Sequence, residues 1–396
     1  MLGVGEPRRA GDGGRGCGVS CLVTEKILIS AGEASGDLYA ASLVETLRRR
    51  FPEAEFFGCA GPRMRRAGVR AVVEAESLSV VGLFEVVRHI PRIWDEYRKL
   101  IQAARRERPR LAILTDSPDF NLRVARRLKR LGVPVVYLVA PQVWAWRRGR
   151  IPLMRRVIDH LLCIFPFEEE FFRRHGISAT YIGHPLSRLI RPSLTKADFF
   201  RKHNLAADRP LVALLGGSRR GEAGRHLPIL VEAAGAIERQ QPAQFVLATP
   251  ASGFAHFRER ISGASIQVIE GETWDVLAHA DVALAASGTV TIEAALLGTP
   301  MVTFYKVSAL SWRLGRRLVR VPYYTMVNLV AGRAVVPELM QNEISGERLA
   351  AEALRLLNNP GDRDEMRRGL AGVAAALSSG EDPMERAAGI IQEFLK

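Results

Sequence analysis

The chain lacks any uninterrupted apolar run approaching the ~20 residues that a membrane-spanning helix needs. Val133 to Trp146 comes closest, and Pro141 and Gln142 interrupt it. Residues 1–24 are rich in Gly and Arg and contain no continuous apolar stretch, so they do not read as a secretory signal. The expectation for them is a disordered tail, or sequence upstream of the true start. Cysteine is scarce: Cys17, Cys21, Cys59 and Cys163 include no Cys-x-x-Cys pair, and no His/Cys cluster suggests a metal. Cys59 and Cys163 sit in apolar runs and read as buried thiols, which points to a reduced, cytosolic compartment. There is no short-period repeat, and no low-complexity segment beyond the tail.

What the chain has in excess is positive charge. Lys and Arg number 56 against 42 Asp and Glu, a net +14, which calls for anionic partners: a phosphorylated substrate, an acidic membrane or nucleic acid. With 396 residues, 47% of them apolar, there is material for two or three domains, each with a core.

Apolar runs of strand length alternate with helical patterns. Lys26 to Ala31, Glu55 to Cys59, Val69 to Val73, Leu111 to Thr115, Val133 to Val139, His160 to Phe165 and Thr180 to Ile182 read as strands. After a polar stretch, Arg191 to Arg209, the alternation restarts at Leu211 to Leu215. It continues through Gln244 to Ala248, Ser265 to Ile269, Val282 to Ala285 and Met301 to Phe304. This predicts an α/β fold of two Rossmann-like domains facing a central cleft. The expected division is a tail over 1–24, domains over 25–190 and 208–365, and C-terminal helices over 366–396. Those helices are expected to pack back on the first domain or on a partner subunit.

Four constellations could carry chemistry. Ser287-Gly288-Thr289 turns from a strand into a helix, a geometry that offers backbone N–H groups and the helix dipole to an anion. Glu293 lies within reach of a neighbouring hydroxyl; alone, the stretch reads equally as a capped helix with a solvated Glu. Gly217-Ser218-Arg219 opens the second half in the same way, with arginine available to a phosphate. In the first half, Gly32 to Asp37 places Glu33 at a strand end and lets Asp37 cap the following helix. That stretch has no G-x-G-x-x-G, which argues against an NAD enzyme. Thr115 to Asn121 places Asp116 directly after an apolar run, as a rigidly mounted candidate general base or as a loop carboxylate bonded to backbone. Asp119, at a helix start, reads as structural.

Two further stretches remain open. Val143 to Arg147 brings Trp144 and Trp146 beside Arg147, Arg148 and Arg150, as a binding wall or as core packing. Val80, Val81, Leu83 and Phe84 add apolar surface beyond the one core face of the helix stripe Phe84, Val87, Ile90, Trp94, Tyr97, Ile101. An acyl-chain or membrane-surface contact is expected at the start of that stripe and a core face along its later turns.

Together these motifs resemble the lipid-A-disaccharide synthases, inverting glycosyltransferases of the two-Rossmann GT-B fold. The resemblance runs from Lys26 to the C-terminus. It rests on Gly32 to Asp37, Ala60 to Met64, Val80 to Val87, Asp116 to Asn121 and Val143 to Arg147. It continues through Phe165 to Glu168, Ile182 to Pro185, Gly217 to Glu222, Ser287 to Glu293 and Asn328 to Arg333. One departure is Gly216, where the family usually has Pro.

The resemblance implies UDP-2,3-diacylglucosamine as donor and 2,3-diacylglucosamine 1-phosphate as acceptor, and a peripheral location on the cytoplasmic face of an anionic inner membrane. It further implies homodimerisation through the C-terminal region, and neither cofactor nor metal. By position, Asp116 matches the general base and Glu33 a second important acid. Arg219, Glu293 and Asn328 match UDP-site residues, and Gly217, Ser218, Ser287, Gly288 and Thr289 accompany them. Two competitors share parts of this pattern. A UDP-N-acetylglucosamine 2-epimerase-like isomerase would need no acyl site, and a basic RNA-binding protein would need no UDP affinity.

Overall fold

The computed structural model describes residues 25–78, 83–217, 220–250, 261, 263–307, 312–313, 319 and 321–396, with the backbone only for 83–90 and 220. The first half forms seven strands: β1 Lys26–Ser30, β2 Glu55–Ala60, β3 Arg70–Glu74, β4 Leu111–Thr115, β5 Val135–Leu138, β6 His160–Cys163 and β7 Ala179–Tyr181. They make one parallel sheet in the order β3-β2-β1-β4-β5-β6-β7. The second half supplies β8 Leu211–Leu215, β9 Gln244–Thr249, β10 Ile266–Glu270, β11 Val282–Ala286, β12 Met301–Tyr305 and β13 Glu338–Met340. These form a second parallel sheet, β10-β9-β8-β11-β12-β13.

Parallel strands covered by helices on both faces have no wet side, so they read as continuous apolar runs. Leu111 to Leu114 and Val282 to Ala285 are wholly buried. In each sheet the strand order reverses once, between β1 and β4 and between β8 and β11. Such switch points open a crevice at the strands' carboxyl ends, where ligands of doubly wound sheets bind.

The polar stretch between the halves is structured. Asp275 accepts the Ser193 N–H, the Ser193 hydroxyl and the Leu194 N–H, each at 2.8 Å. At the C-terminus the expected boundary at 365 falls inside the continuous helix Pro360–Leu377. The chain then crosses back over the first half. Ser379 donates to the Ile182 carbonyl (2.9 Å), and the His184 N–H donates to the Leu377 carbonyl (2.8 Å). The last helix, Pro383–Leu395, packs on the helix Ala34–Arg50 and buries Met384, Ala387, Ala388, Ile391 and Leu395. Arg49 and Arg50 both grip Glu385 at 2.7 Å. The pair is solvated, so the apolar burial outweighs it.

Candidate active site

The carboxyl end of β4 is the most constrained part of the first half. Asp116 and Ser117 adopt left-handed backbone, with φ of 50° and 37°, and Val139 after the neighbouring β5 does so too, at φ 64°. For side chains larger than Gly this is uncommon and, for β-branched Val, a true outlier, so surrounding contacts must hold it. Those contacts are visible. The Asp116 carbonyl accepts from the Tyr137 hydroxyl and from Asn121 Nδ2 (3.2 Å). Asn121 is itself buried, donating to the Thr115 carbonyl (2.7 Å) and accepting from Ser30 (2.8 Å).

The Asp116 carboxylate is held across the switch point. Oδ1 accepts the Gly32 N–H at 2.8 Å and Oδ2 the Glu33 N–H at 3.0 Å. Glycine is required for this approach: a Cβ on Gly36 would lie 1.6 Å from Asp116 Oδ2, and one on Gly32 would lie 2.4 Å from Ser117 Oγ. Burial raises the Asp116 pKa to about 7, helped by the Glu33 charge and opposed by the Gly32 N–H bond. A carboxylate poised there can take up a proton at physiological pH. Glu33 is exposed at the end of β1, where it N-caps the helix Ala34–Arg50 through its backbone.

Among the neighbours, one expectation is overturned and two open readings resolve. Asp37 does not cap its own helix, which begins at Ala34. Its buried carboxylate accepts the Arg63 and Met64 N–H groups (2.9 and 3.0 Å) and so caps the short helix Pro62–Arg66. Trp144 belongs to the core: its Nε1 donates to buried Glu168 at 3.0 Å, and its ring meets Phe167 edge-on. Only Trp146, 40% exposed, faces solvent, under the Arg147 guanidinium at 4.2 Å. Among the described side chains of the helix Leu83–Glu107, Leu100 and Ile101 are buried with Ile93 and Tyr97 packed against the same core, whereas Trp94 is 44% exposed and stacked on Tyr97. Val80 and Val81, and the side chains of Leu83 and Phe84, lie outside what is described. Asp119 pairs with Arg147 at 3.1 Å and with Arg150.

In the second half, Gly217 follows β8 with φ 100°, where a Cβ would collide with Glu222. Ser218 and Arg219 lie outside the described residues. After β11, the Ser287 N–H donates to the Phe304 carbonyl (2.8 Å) and its hydroxyl to the Tyr324 carbonyl (3.3 Å). Gly288 and Thr289 are exposed at the start of the helix Thr289–Leu296, and the space beside Gly288 is open. Glu293, on that helix, accepts from Trp274 Nε1 at 3.0 Å. Burial raises its pKa, while the Trp274 bond and the Arg63 charge oppose the rise, so Glu293 experiences a group on the first half.

Asn328 is buried, with Nδ2 on the Val336 carbonyl and Glu338 (2.9 and 2.8 Å) and Oδ1 on the Val335 and Val336 N–H groups (2.7 and 3.0 Å). Its amide therefore shapes the loop from within. Glu338 completes that shaping by accepting from the Tyr324 N–H and from the Thr325 N–H and hydroxyl (2.9, 3.0 and 2.8 Å). Glu338 and the cradle residues Gly36 and Tyr137 escaped sequence reasoning. Only Gly36 and Asn121 lay inside motifs already singled out. Among the described residues, no three His, Cys, Asp or Glu side chains gather as a metal site would require.

Residues 27–381 match the sequence profile of the lipid-A-disaccharide synthetase family. A lipid-A-disaccharide synthase from Solibacter usitatus is 64% identical over 372 residues, covering 94% of this chain and 98% of that protein. One from Myxococcus xanthus is 43% identical over 356 residues, 89% of this chain and 93% of that protein. Among solved structures, S. aureus MnaA with UDP superposes with a TM-score of 0.66 at 13% identity, covering 94% of this chain and 97% of that one. The glycotransferase of kitacinnamycin gives a TM-score of 0.65 at 15% identity, covering 94% and 100%. At these identities the structural likeness speaks for the fold, the two-domain arrangement shared by glycosyltransferases and epimerases.

Proposed function

Because the chain belongs to the lipid-A-disaccharide synthase family, glycosyltransferases of lipid A biosynthesis, we propose that Asp116 is the general base of its transfer reaction. The donor is UDP-2,3-diacylglucosamine and the acceptor 2,3-diacylglucosamine 1-phosphate. Asp116 removes the proton from the acceptor's 6-hydroxyl as that oxygen attacks the anomeric carbon. The C–O bond to UDP breaks in the same displacement, with inversion, to give the β-1',6-linked disaccharide phosphate and UDP. The observation that carries this reading is the Asp116 cradle: a strained carboxyl at the first switch point, held by two backbone N–H groups and poised near neutral pH.

In the second half, the turn Ser287-Gly288-Thr289 and the glycine loop at Gly217 bind the departing diphosphate, with Ser218 and Arg219 contributing from the same loop. Glu293 takes the ribose hydroxyls. Asn328 acts from inside the loop that carries Tyr324 to Ser287. Glu33 lends negative charge beside Asp116. An epimerase reading has less support, because the relatives that share 42–64% of their residues are synthases, whereas the likeness to a 2-epimerase from Neisseria meningitidis is at 12% identity.

The enzyme works at a membrane surface in this reading. Among the described residues no helix is long and apolar enough to cross a bilayer. Val80, Val81, Leu83 and Phe84 then supply the apolar contact with the acyl chains, and the surplus positive charge attracts anionic lipid. The test is a mass-spectrometric assay with acylated donor and acceptor. Disaccharide and UDP should appear only when both are present. UDP-sugar isomerised without acceptor would contradict the proposal.

A further inference from the structure

The nucleotide half contains a clamp that the reaction as described does not use. His226, on the helix Arg220–Glu238, is wholly buried. Its Nδ1 lies 2.9 Å from the Gly216 carbonyl, and its Nε2 lies 3.2 Å from both the carbonyl and the N–H of Lys306. With Nδ1–H donating to Gly216, Nε2 of a neutral ring accepts the Lys306 N–H, so the ring bridges the two loops by its two nitrogens. Burial lowers the His226 pKa, against the opposing bonds to Gly216 and Lys306. Its edge packs against Phe304 at 5.0 Å between centroids, which fixes its orientation.

The two loops it joins are not neighbours in the sheet. Gly216 follows β8 and Lys306 follows β12, and β11, which ends in the Ser287 turn, lies between them. His226 therefore ties together the loops on either side of that turn. Next along the chain, Gln341 pins Val307, accepting from its N–H (3.1 Å) and donating to its carbonyl (2.9 Å). Gln341 is itself buried, in left-handed backbone at φ 53°. The backbone on each side of the Lys306 side chain is thus held by a buried polar residue from a different element. A lysine in an ordinary surface loop needs no such fixing. The Lys306 side chain is half-buried, and among the described residues no carboxylate pairs with it.

We propose that Lys306 is a further cation of the diphosphate subsite, and that His226 is the positioning residue that sets it beside the Ser287 turn. This rests on the nucleotide-sugar reading of the second half. The ammonium contacts phosphate oxygens of bound UDP-sugar and stays with UDP as charge builds on the leaving group.

The test is calorimetric titration of the full chain with UDP and with uridine, alongside melting temperatures. Lys306→Ala should weaken UDP binding about tenfold or more, leave uridine binding unchanged and leave the melting temperature near wild type. Lys306→Arg should restore most of the UDP affinity. His226→Ala should show the same selective loss of UDP over uridine, and His226→Gln, which can both donate and accept, should recover part of it. If His226→Ala does not fold, the lysine variants decide. Wild-type UDP affinity in Lys306→Ala, or equal loss of UDP and uridine, would overturn the assignment while leaving the nucleotide site intact. A wild-type protein with no affinity for UDP would overturn the nucleotide reading itself, and this proposal with it.

Discussion

At the scale of single residues, two carboxylates in different halves, Asp116 and Glu293, stand at the proposed site. Burial raises the pKa of Asp116 to about 7 and that of Glu293 in the same direction, but their surroundings assign them different work. Asp116 has a largely buried carboxylate at a strained strand end, held by two backbone N–H groups. Glu293 has one oxygen committed to Trp274. Glu293→Ala should weaken UDP binding by about 1.5–3 kcal/mol, the worth of a hydrogen bond to a charged group; unchanged affinity in calorimetry would make it a helix residue only. The pH dependence follows with its sign. As base, Asp116 must be ionised, so kcat/KM should rise with pH through about 7 and level off above it. Stability should run the other way. The folded state raises this pKa from 3.8, so it binds the proton more tightly than the unfolded chain does, and stability falls as pH rises from about 4 to about 7. Asp116→Asn removes that loss. Its melting temperature, relative to wild type, should therefore be higher at pH 8 than at pH 4, and a pH-independent difference would contradict the burial of this carboxyl.

At the scale of elements, site precision comes from how closely β1, the helix Ala34–Arg50 and β4 approach one another. Gly36 is the sharpest case. Gly36→Ala should cut kcat by about 10²-fold, because its Cβ must displace the Asp116 carboxylate by an ångström or more. UDP affinity, which belongs to the other half, should be unchanged; full activity would show that the carboxylate can move without cost. The element pattern was legible in the sequence because parallel strands are continuous apolar runs, and both sheets lie where those runs predicted. Strand-end placement of Asp116 and the Ser287 turn followed from the same reading. What was not legible depends on partners far along the chain. Asp37 caps a helix that starts 25 residues later, and β13 is three residues long. Trp144 is drawn inward by Glu168, and nothing local to the tryptophan signals that. His226 and Glu338 likewise act through contacts with loops that only the second sheet brings together.

At the scale of the molecule, the chain builds two parallel sheets, each with one switch point, and the C-terminal helix crosses back to pack on the first half. In the proposed mechanism neither half completes the reaction alone, since the proposed base belongs to one and the proposed diphosphate turn to the other. The net charge of +14 sets the partners of the whole. Binding to anionic liposomes should fall with salt without vanishing, since basic residues near the surface contribute ~1 kcal/mol each and the apolar contact is unscreened. Leu83→Ser should lower liposome co-sedimentation and leave the melting temperature nearly unaltered; a large loss of stability instead would place that side chain in the core. The most direct test of the central claim is turnover by Asp116→Asn, with both acylated substrates present and UDP binding measured on the same sample. Asp116→Asn should form no disaccharide and should bind UDP with wild-type affinity. Disaccharide formed at anything near the wild-type rate would contradict that claim.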